Sequence, residues 1–209
     1  MKKLLEIGLS ILLATLAPLL GAAPVGYSIN SDSADGNADS LYRIDLGLGV
    51  ETRVGAVLVG SDSRIDVEGL AFAPDGTLYG IDDSELTLFP IDPSSGQVQA
   101  TAEVRLSNLP TGGGNDFGMT FGCDGKLYVT SVARDTLYLL GLDGVADPVG
   151  NEGDLGANIG ALAAWGDPVE LFGLGNGLDG NQNVDSPSLF RIDPVTGKAT
   201  EIGPLGTAA

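Results

Sequence analysis

The sequence contains no histidine, a single cysteine (Cys123) and only 10 lysines and arginines among 209 residues. Without histidine there is no Ser-His-Asp or Cys-His nucleophile system, and no metal site can draw on an imidazole. One cysteine makes neither an internal disulfide, nor a CxxC pair, nor a Cys-rich zinc site. Ten basic residues stand against 28 acidic ones, a formal net charge of −18. Nucleic acid is bound by Lys and Arg that neutralise phosphates, so this balance argues against it, and equally against anionic membrane surfaces. What the chain does have is 43% apolar residues, 32 glycines and 11 prolines. That is too apolar for a disordered acidic chain. The length suits one domain or one repeat array with a sizeable core.

Residues 1–23 read as a signal peptide. Lys2 and Lys3 form a basic start, an apolar run extends from Ile7 to Leu20, and the small residues Gly21, Ala22 and Ala23 follow. An uncleaved anchor is the rival reading, since Ile7 to Val25 barely reaches the roughly 20 residues a bilayer needs. Pro18 and the small-residue end favour cleavage. The segment carries Lys2, Lys3 and Glu6, so its removal leaves the mature chain one charge more acidic. The expected location is secreted or periplasmic, and export without disulfides suits a bacterial protein.

From residue 24 onward, short apolar segments alternate with Gly, Asp and Pro, the pattern of an all-β chain. The segments repeat. Leu41-Tyr42-Arg43-Ile44-Asp45 recurs as Leu88-Phe89-Pro90-Ile91-Asp92, Leu137-Tyr138-Leu139-Leu140-Gly141 and Leu189-Phe190-Arg191-Ile192-Asp193, with aromatic spacings of 47, 49 and 52 residues. Gly69-Leu70-Ala71-Phe72 recurs as Gly118-Met119-Thr120-Phe121 and, more loosely, Gly160-Ala161-Leu162-Ala163. Tyr79-Gly80-Ile81-Asp82 has counterparts beginning at Tyr27, Tyr128 and Phe172. A fourth segment closes on Gly at Val54-Gly55, Val149-Gly150 and Ile202-Gly203. Four strands per unit of about 40–50 residues is the mark of a β-propeller blade.

The connections agree. Pro74-Asp75-Gly76, Cys123-Asp124-Gly125 and Gly166-Asp167-Pro168 are turns between strands 1 and 2 of a unit, and Asp92 to Gly96 and Asp193 to Gly197 are turns between strands 3 and 4. The aromatics fall into the strands, which predicts that they pack between blades. Phe72, Phe121 and Trp165 lie on strand 1, Tyr27, Tyr79, Tyr128 and Phe172 on strand 2, and Tyr42, Phe89, Tyr138 and Phe190 on strand 3.

The stretches LAFAPDGTLYGIDD…LFPIDPSSGQV and LFRIDPVTGKATEIG resemble the NHL, YVTN and SMP-30-like superfamily of propeller repeats, most of all secreted bacterial propellers of unassigned function. The resemblance covers about residues 25 to 205. It implies a propeller fold and says little of activity, because this repeat hosts many functions. Pro90 departs from it by removing a ladder donor from a strand, and blade 4 departs in strand 1 and its turn.

The expected architecture is therefore about four blades of four antiparallel strands, at residues 25–60, 66–106, 116–150 and 158–205, the first blade having three. Fifteen strands leave two arrangements: a small closed ring, or an open arc of a larger propeller. An open arc would leave an edge through which copies associate.

Propeller connectivity sends the strand 2–3 and 4–1 loops to one face. That face receives Asp32, Asp35, Asp39, Asp62, Asp66, Asp82, Asp83, Glu85, Asp116, Asp135, Glu152, Asp154, Asp179 and Asp185, and few cations. A strongly acidic binding face is expected there. Asp179, Asn181, Asn183 and Asp185 alternate like the front of a D-x-[DN]-x-[DN]-G calcium loop, but Val184 stands where the glycine belongs and Phe190 where the final Glu belongs. They are candidate Ca2+ ligands against the alternative of a solvated turn.

The SMP-30-like resemblance implies an enzyme reading, since those lactonases hold a divalent cation in the central channel through Glu, Asn and Asp. Glu68, at the entry to a strand 1, has the place of such a ligand, and Asn115, Asp116 and Asn158 precede later strand-1 segments. Glu68, Asp116 and Asn158 are the candidate catalytic residues of that reading. Cys123 lies in a turn with no histidine to activate it. The leading expectation is an exported binding module offering its acidic face to a protein, a glycan or a cation. The alternatives are a cation-dependent hydrolase or lactonase, and a structural envelope or assembly piece.

Overall fold

The computed structural model describes residues 24–30, 39–64, 66–109, 115–175 and 187–206. It is all-β, with four antiparallel sheets arranged as the blades of a propeller. Blade 1 has three strands, β1 (Val25–Asn30), β2 (Ser40–Asp45) and β3 (Val50–Ala56). A small hairpin, β4 (Leu58–Val59) and β5 (Asp62–Ser63), leads out of it. Blade 2 contains β6 (Val67–Phe72), β7 (Leu78–Asp82), β8 (Thr87–Ile91) and β9 (Val104–Arg105). Blade 3 contains β10 (Phe117–Phe121), β11 (Leu127–Ser131), β12 (Thr136–Leu140) and β13 (Ala146–Val149). Blade 4 contains β14 (Ile159–Trp165), β15 (Glu170–Gly175), β16 (Ser188–Ile192) and β17 (Ala199–Pro204). In every blade the strands pair in chain order. Among the described residues no helix is long and apolar enough to cross a membrane. The signal-peptide segment lies outside the described residues.

The turns form for the reason their composition gives. Asp75, Asp92 and Asp193 each accept, on Oδ1, the N–H two residues on, from Thr77 at 2.9 Å, Ser94 at 2.8 Å and Val195 at 2.8 Å. The Thr77 and Val195 N–H groups hold the Asp75 and Asp193 carboxyls below the usual range. The Ser94 hydroxyl and N–H do the same for Asp92. Part of the acid surplus is thus turn chemistry.

Pro90 leaves the β7–β8 register continuous, with Tyr79 opposite Pro90. Its carbonyl accepts the Gln99 N–H at 3.0 Å, so its nitrogen, which carries no hydrogen, faces the same outer side. The disturbance falls there. A single bridge joins Ile91 to Val98, a 3-10 turn spans Ala100–Ala102, and β9 keeps two residues.

Three apolar clusters hold the blades together. Leu41, Phe89 and Ile91 belong to the one between blades 1 and 2. Ile81, Leu88, Phe117 and Val129 fill the one between blades 2 and 3. Leu137, Ile159, Leu171 and Ile192 fill the one between blades 3 and 4. Fully burying such a side chain stabilises by about 1.5–3 kcal/mol. Strand-2 tyrosines reach strand-1 phenylalanines of the next blade, Tyr27 to Phe72 at 5.5 Å and Tyr79 to Phe121 at 5.9 Å between ring centroids. Among the described residues no fourth cluster joins blade 4 back to blade 1. The described blades therefore form an arc with two uncovered end faces.

Trp165 departs from the expectation that it packs between blades: it is 74% exposed. Four residues, Gly166 to Val169, separate Trp165 from its partner Glu170, where three separate Ala73 from Thr77 and Gly122 from Lys126. A one-residue shift turns side chains to the opposite face. Ala164 consequently stands opposite Leu171, the place that Phe72 and Phe121 hold in their blades, and Trp165 points away from blade 3. Phe117, the one aromatic that the repeat left unassigned, is fully buried.

Candidate functional site

The acids of blade 2 come together where β6 begins and β7 ends. Glu68 is an extra residue in β6, because the register shifts between Val67, opposite Asp82, and Gly69, opposite Ile81. Beyond that bulge the ladder continues for one more step, the Asp83 N–H donating to the Asp66 carbonyl at 3.2 Å. Bulges of this kind re-aim side chains. Asp66, Glu68 and Asp83, all half-buried, each offer one carboxylate oxygen, and these three atoms lie within 4.8 Å of one another. Connectivity puts them on the loop face, at the inner edge of the blade.

Like charges opposite one another in a sheet are destabilising, and the protonation of Asp83 records it. Burial, a hydrogen bond to the Asp66 carboxyl and the negative charges of Asp66, Glu68 and Asp82 push Asp83 up to about 8. Asp83 Oδ1 is buried and finds no protein donor. At neutral pH the Asp83 carboxyl therefore keeps its proton, hydrogen-bonded to the Asp66 side chain. Two oxygens bound to one calcium ion at about 2.4 Å stand at most about 4.8 Å apart, so the cluster matches the span of a hard, oxygen-ligated cation.

The neighbouring acids serve the fold. Asp39 is fully buried; its Oδ2 accepts the Val67 N–H at 2.7 Å and its own N–H donates to the Arg64 carbonyl, joining blade 1 to the start of blade 2. Asp82, also fully buried, accepts from the Ser84 hydroxyl and the Glu85 N–H on Oδ1. Burial raises its carboxyl above the ordinary value. Arg64, whose charge reaches Asp82, is itself ion-paired with Glu103. Asp39 and Asp82, expected on an acidic surface, thus face inward, because a strand end needs its N–H groups satisfied.

Of the other expected site residues, Asp116 holds in blade 3 the place of Asp66 in blade 2, its carbonyl accepting the Val132 N–H at 3.1 Å. It does not join the acid cluster. Asn115 is buried, and its Oδ1 accepts from the Ser131 hydroxyl at 2.6 Å and the Ala133 N–H at 3.2 Å. Asn158 is half-buried before β14. Asp179, Asn181, Asn183 and Asp185 lie outside the described residues, as do Asp32 and Asp35. Cys123 is exposed in its turn.

The sequence pointed to Glu68 but not to its partners. Counting back from the Pro74–Gly76 turn pairs Glu68 with Asp82 and Asp66 with Ser84. The bulge shifts that count by one and sets Asp66 against Asp83.

No protein-family model matches the chain, and no curated protein matches it. Solved structures share its fold. A Bacteroides thetaiotaomicron protein of unknown function aligns with a TM-score of 0.55 at 14% identity, over 84% of this chain and 44% of that one. The calcium-binding protein regucalcin from Agrobacterium tumefaciens aligns at 0.51 and 19%, over 88% of this chain and 58% of that one. A catalytically inactive virginiamycin B lyase from Staphylococcus aureus, solved with quinupristin, aligns at 0.50 and 14%, over 86% and 60%. All are β-propellers, and the chain spans less than two thirds of the length of each.

Proposed function

We propose that this is a propeller binding module, acting outside the cytoplasm, whose Asp66, Glu68 and Asp83 hold a divalent cation on the loop face. Calcium suits the donor set, which offers only oxygen. The observation that carries the reading is the convergence of three carboxylates within 4.8 Å. A cation there takes the place of the proton on Asp83, offsetting the burial and the neighbouring negative charges that raise its carboxyl. Bound, it leaves coordination positions for oxygens of a second ligand, a protein or a glycan reaching the acidic loops.

Thermal unfolding in calcium tests this. Calcium at a hundred times its Kd stabilises the fold by about 2.7 kcal/mol. The shift should vanish in Asp83→Asn and in Glu68→Gln, and persist in Asp116→Asn. No shift at millimolar calcium sinks the proposal. A shift that survives both cluster variants and disappears in Asp185→Ala assigns binding to the 179–185 loop instead. The hydrolase reading uses Glu68 together with Asp116 and Asn158. Since Asp116 stays out of the cluster, the geometry favours binding over that reading; lactone turnover abolished by Glu68→Gln would reverse the preference.

A further inference from the structure

The two end faces of the arc carry the two halves of the interface that joins its blades. In blade 3 the face toward the next blade is built on Tyr128, Thr130 and Leu137, which are 3%, 0% and 0% exposed. The strand registers place Phe172, Leu174 and Leu189 at the same positions of blade 4. There Leu174 is 42% exposed, and Trp165 joins the same face. At the other end, Phe89, Ile91, Tyr138, Leu140 and Ile192 are buried against the preceding blade. Tyr42 and Ile44 hold those positions in blade 1, where no preceding blade stands among the described residues, and are half-buried.

Glycine contacts tell the same story. Where blades meet, the backbone ending strand 4 of one touches the strand 3–4 turn of the next. A Cβ on Gly55 would lie 2.2 Å from the Ser95 carbonyl oxygen, and one on Gly150 would lie 2.1 Å from that of Thr196. From the turn side, a Cβ on Gly197 would lie 2.2 Å from the Val149 carbonyl oxygen. Gly203 closes blade 4 as Gly55 and Gly150 close theirs, and Gly49 sits in the blade 1 turn as Gly197 does in blade 4. A Cβ on either would meet nothing within 4 Å.

We infer that the free face of blade 4 receives blade 1 of a second copy of this chain. The contact continues the interface already made three times within the chain, with Phe172, Leu174 and Trp165 covering Tyr42 and Ile44, and Gly203 approaching the Gly49 turn. Each face also carries one charge of each sign, Glu170 and Arg191 on blade 4, Glu51 and Arg53 on blade 1. The contact is heterologous, and two copies satisfy both ends at once by closing a ring of eight blades, within the usual range for propellers.

Sedimentation equilibrium in reductant, so that Cys123 forms no cross-link, should give twice the chain mass. Leu174→Asp and Ile44→Asp should each reduce it to a monomer with unchanged far-UV circular dichroism. An equimolar mixture of the two variants keeps one intact junction and should restore a dimer. A monomeric native protein overturns the inference, as does a series of species that lengthens with concentration. Loss of dimer in Leu174→Asp but not in Ile44→Asp overturns it in favour of blade 4 pairing with blade 4.

Discussion

Asp83 is the residue whose ionisation the fold resists most visibly. Its ordinary value of 3.8 rises to about 8 in the folded chain, so between those values the native state binds more protons than the unfolded one. Stability then falls as pH rises. The contribution is complete below about pH 4 and gone above about pH 8. The turn aspartates Asp75, Asp92 and Asp193 act in the other direction, and only below the ordinary carboxylate range. In cation-free buffer the unfolding midpoint should decline from pH 4 to pH 8. Asp83→Asn should flatten that decline without abolishing it, because buried Asp82 and Asp135 are raised as well. A slope unchanged in Asp83→Asn would show that the carboxyl cluster is not what opposes ionisation.

At the scale of the element, the recurring unit is a blade whose last strand ends on a glycine beneath its neighbour's turn. The sequence shows this glycine three times, and at Gly55 and Gly150 the structure supplies the cause, which is backbone meeting backbone. Gly55→Ala would drive a methyl group into the Ser95 carbonyl. Urea unfolding should show a loss of about 1–3 kcal/mol, the usual cost of overpacking a tight contact. Strand order and turn chemistry were legible in the sequence because each depends on local residue types. The position of Trp165 was not. It follows from one extra residue in the β14–β15 turn, which gives Ala164 the place of Phe72 and turns Trp165 to the opposite face.

At the scale of the molecule, a net charge of −18 repels itself across a small surface. Monovalent salt screens that repulsion, with a Debye length of about 10 Å at 0.1 M and about 3 Å at 1 M. The unfolding midpoint should therefore rise gradually with sodium chloride and keep rising into the molar range. Calcium should act through the cluster, saturating at far lower concentration, and only its effect should be lost in Asp83→Asn. A calcium response that follows ionic strength alone, in the native chain and the variant alike, would reduce both effects to screening.

The sequence by itself determined the kind of fold and the kinds of chemistry open to it. Periodic short strands, Asp-Pro-Gly turns, the lack of histidine and the acid surplus are properties of residue types in order, and local physics reads them directly. The tertiary structure decided which acids meet and which faces stay open. Both depend on register and closure: a bulge at Glu68 sets Asp66 against Asp83, and among the described residues no apolar cluster joins blade 4 to blade 1. A shift of one residue in a ladder costs little locally, yet it changes every neighbour beyond it.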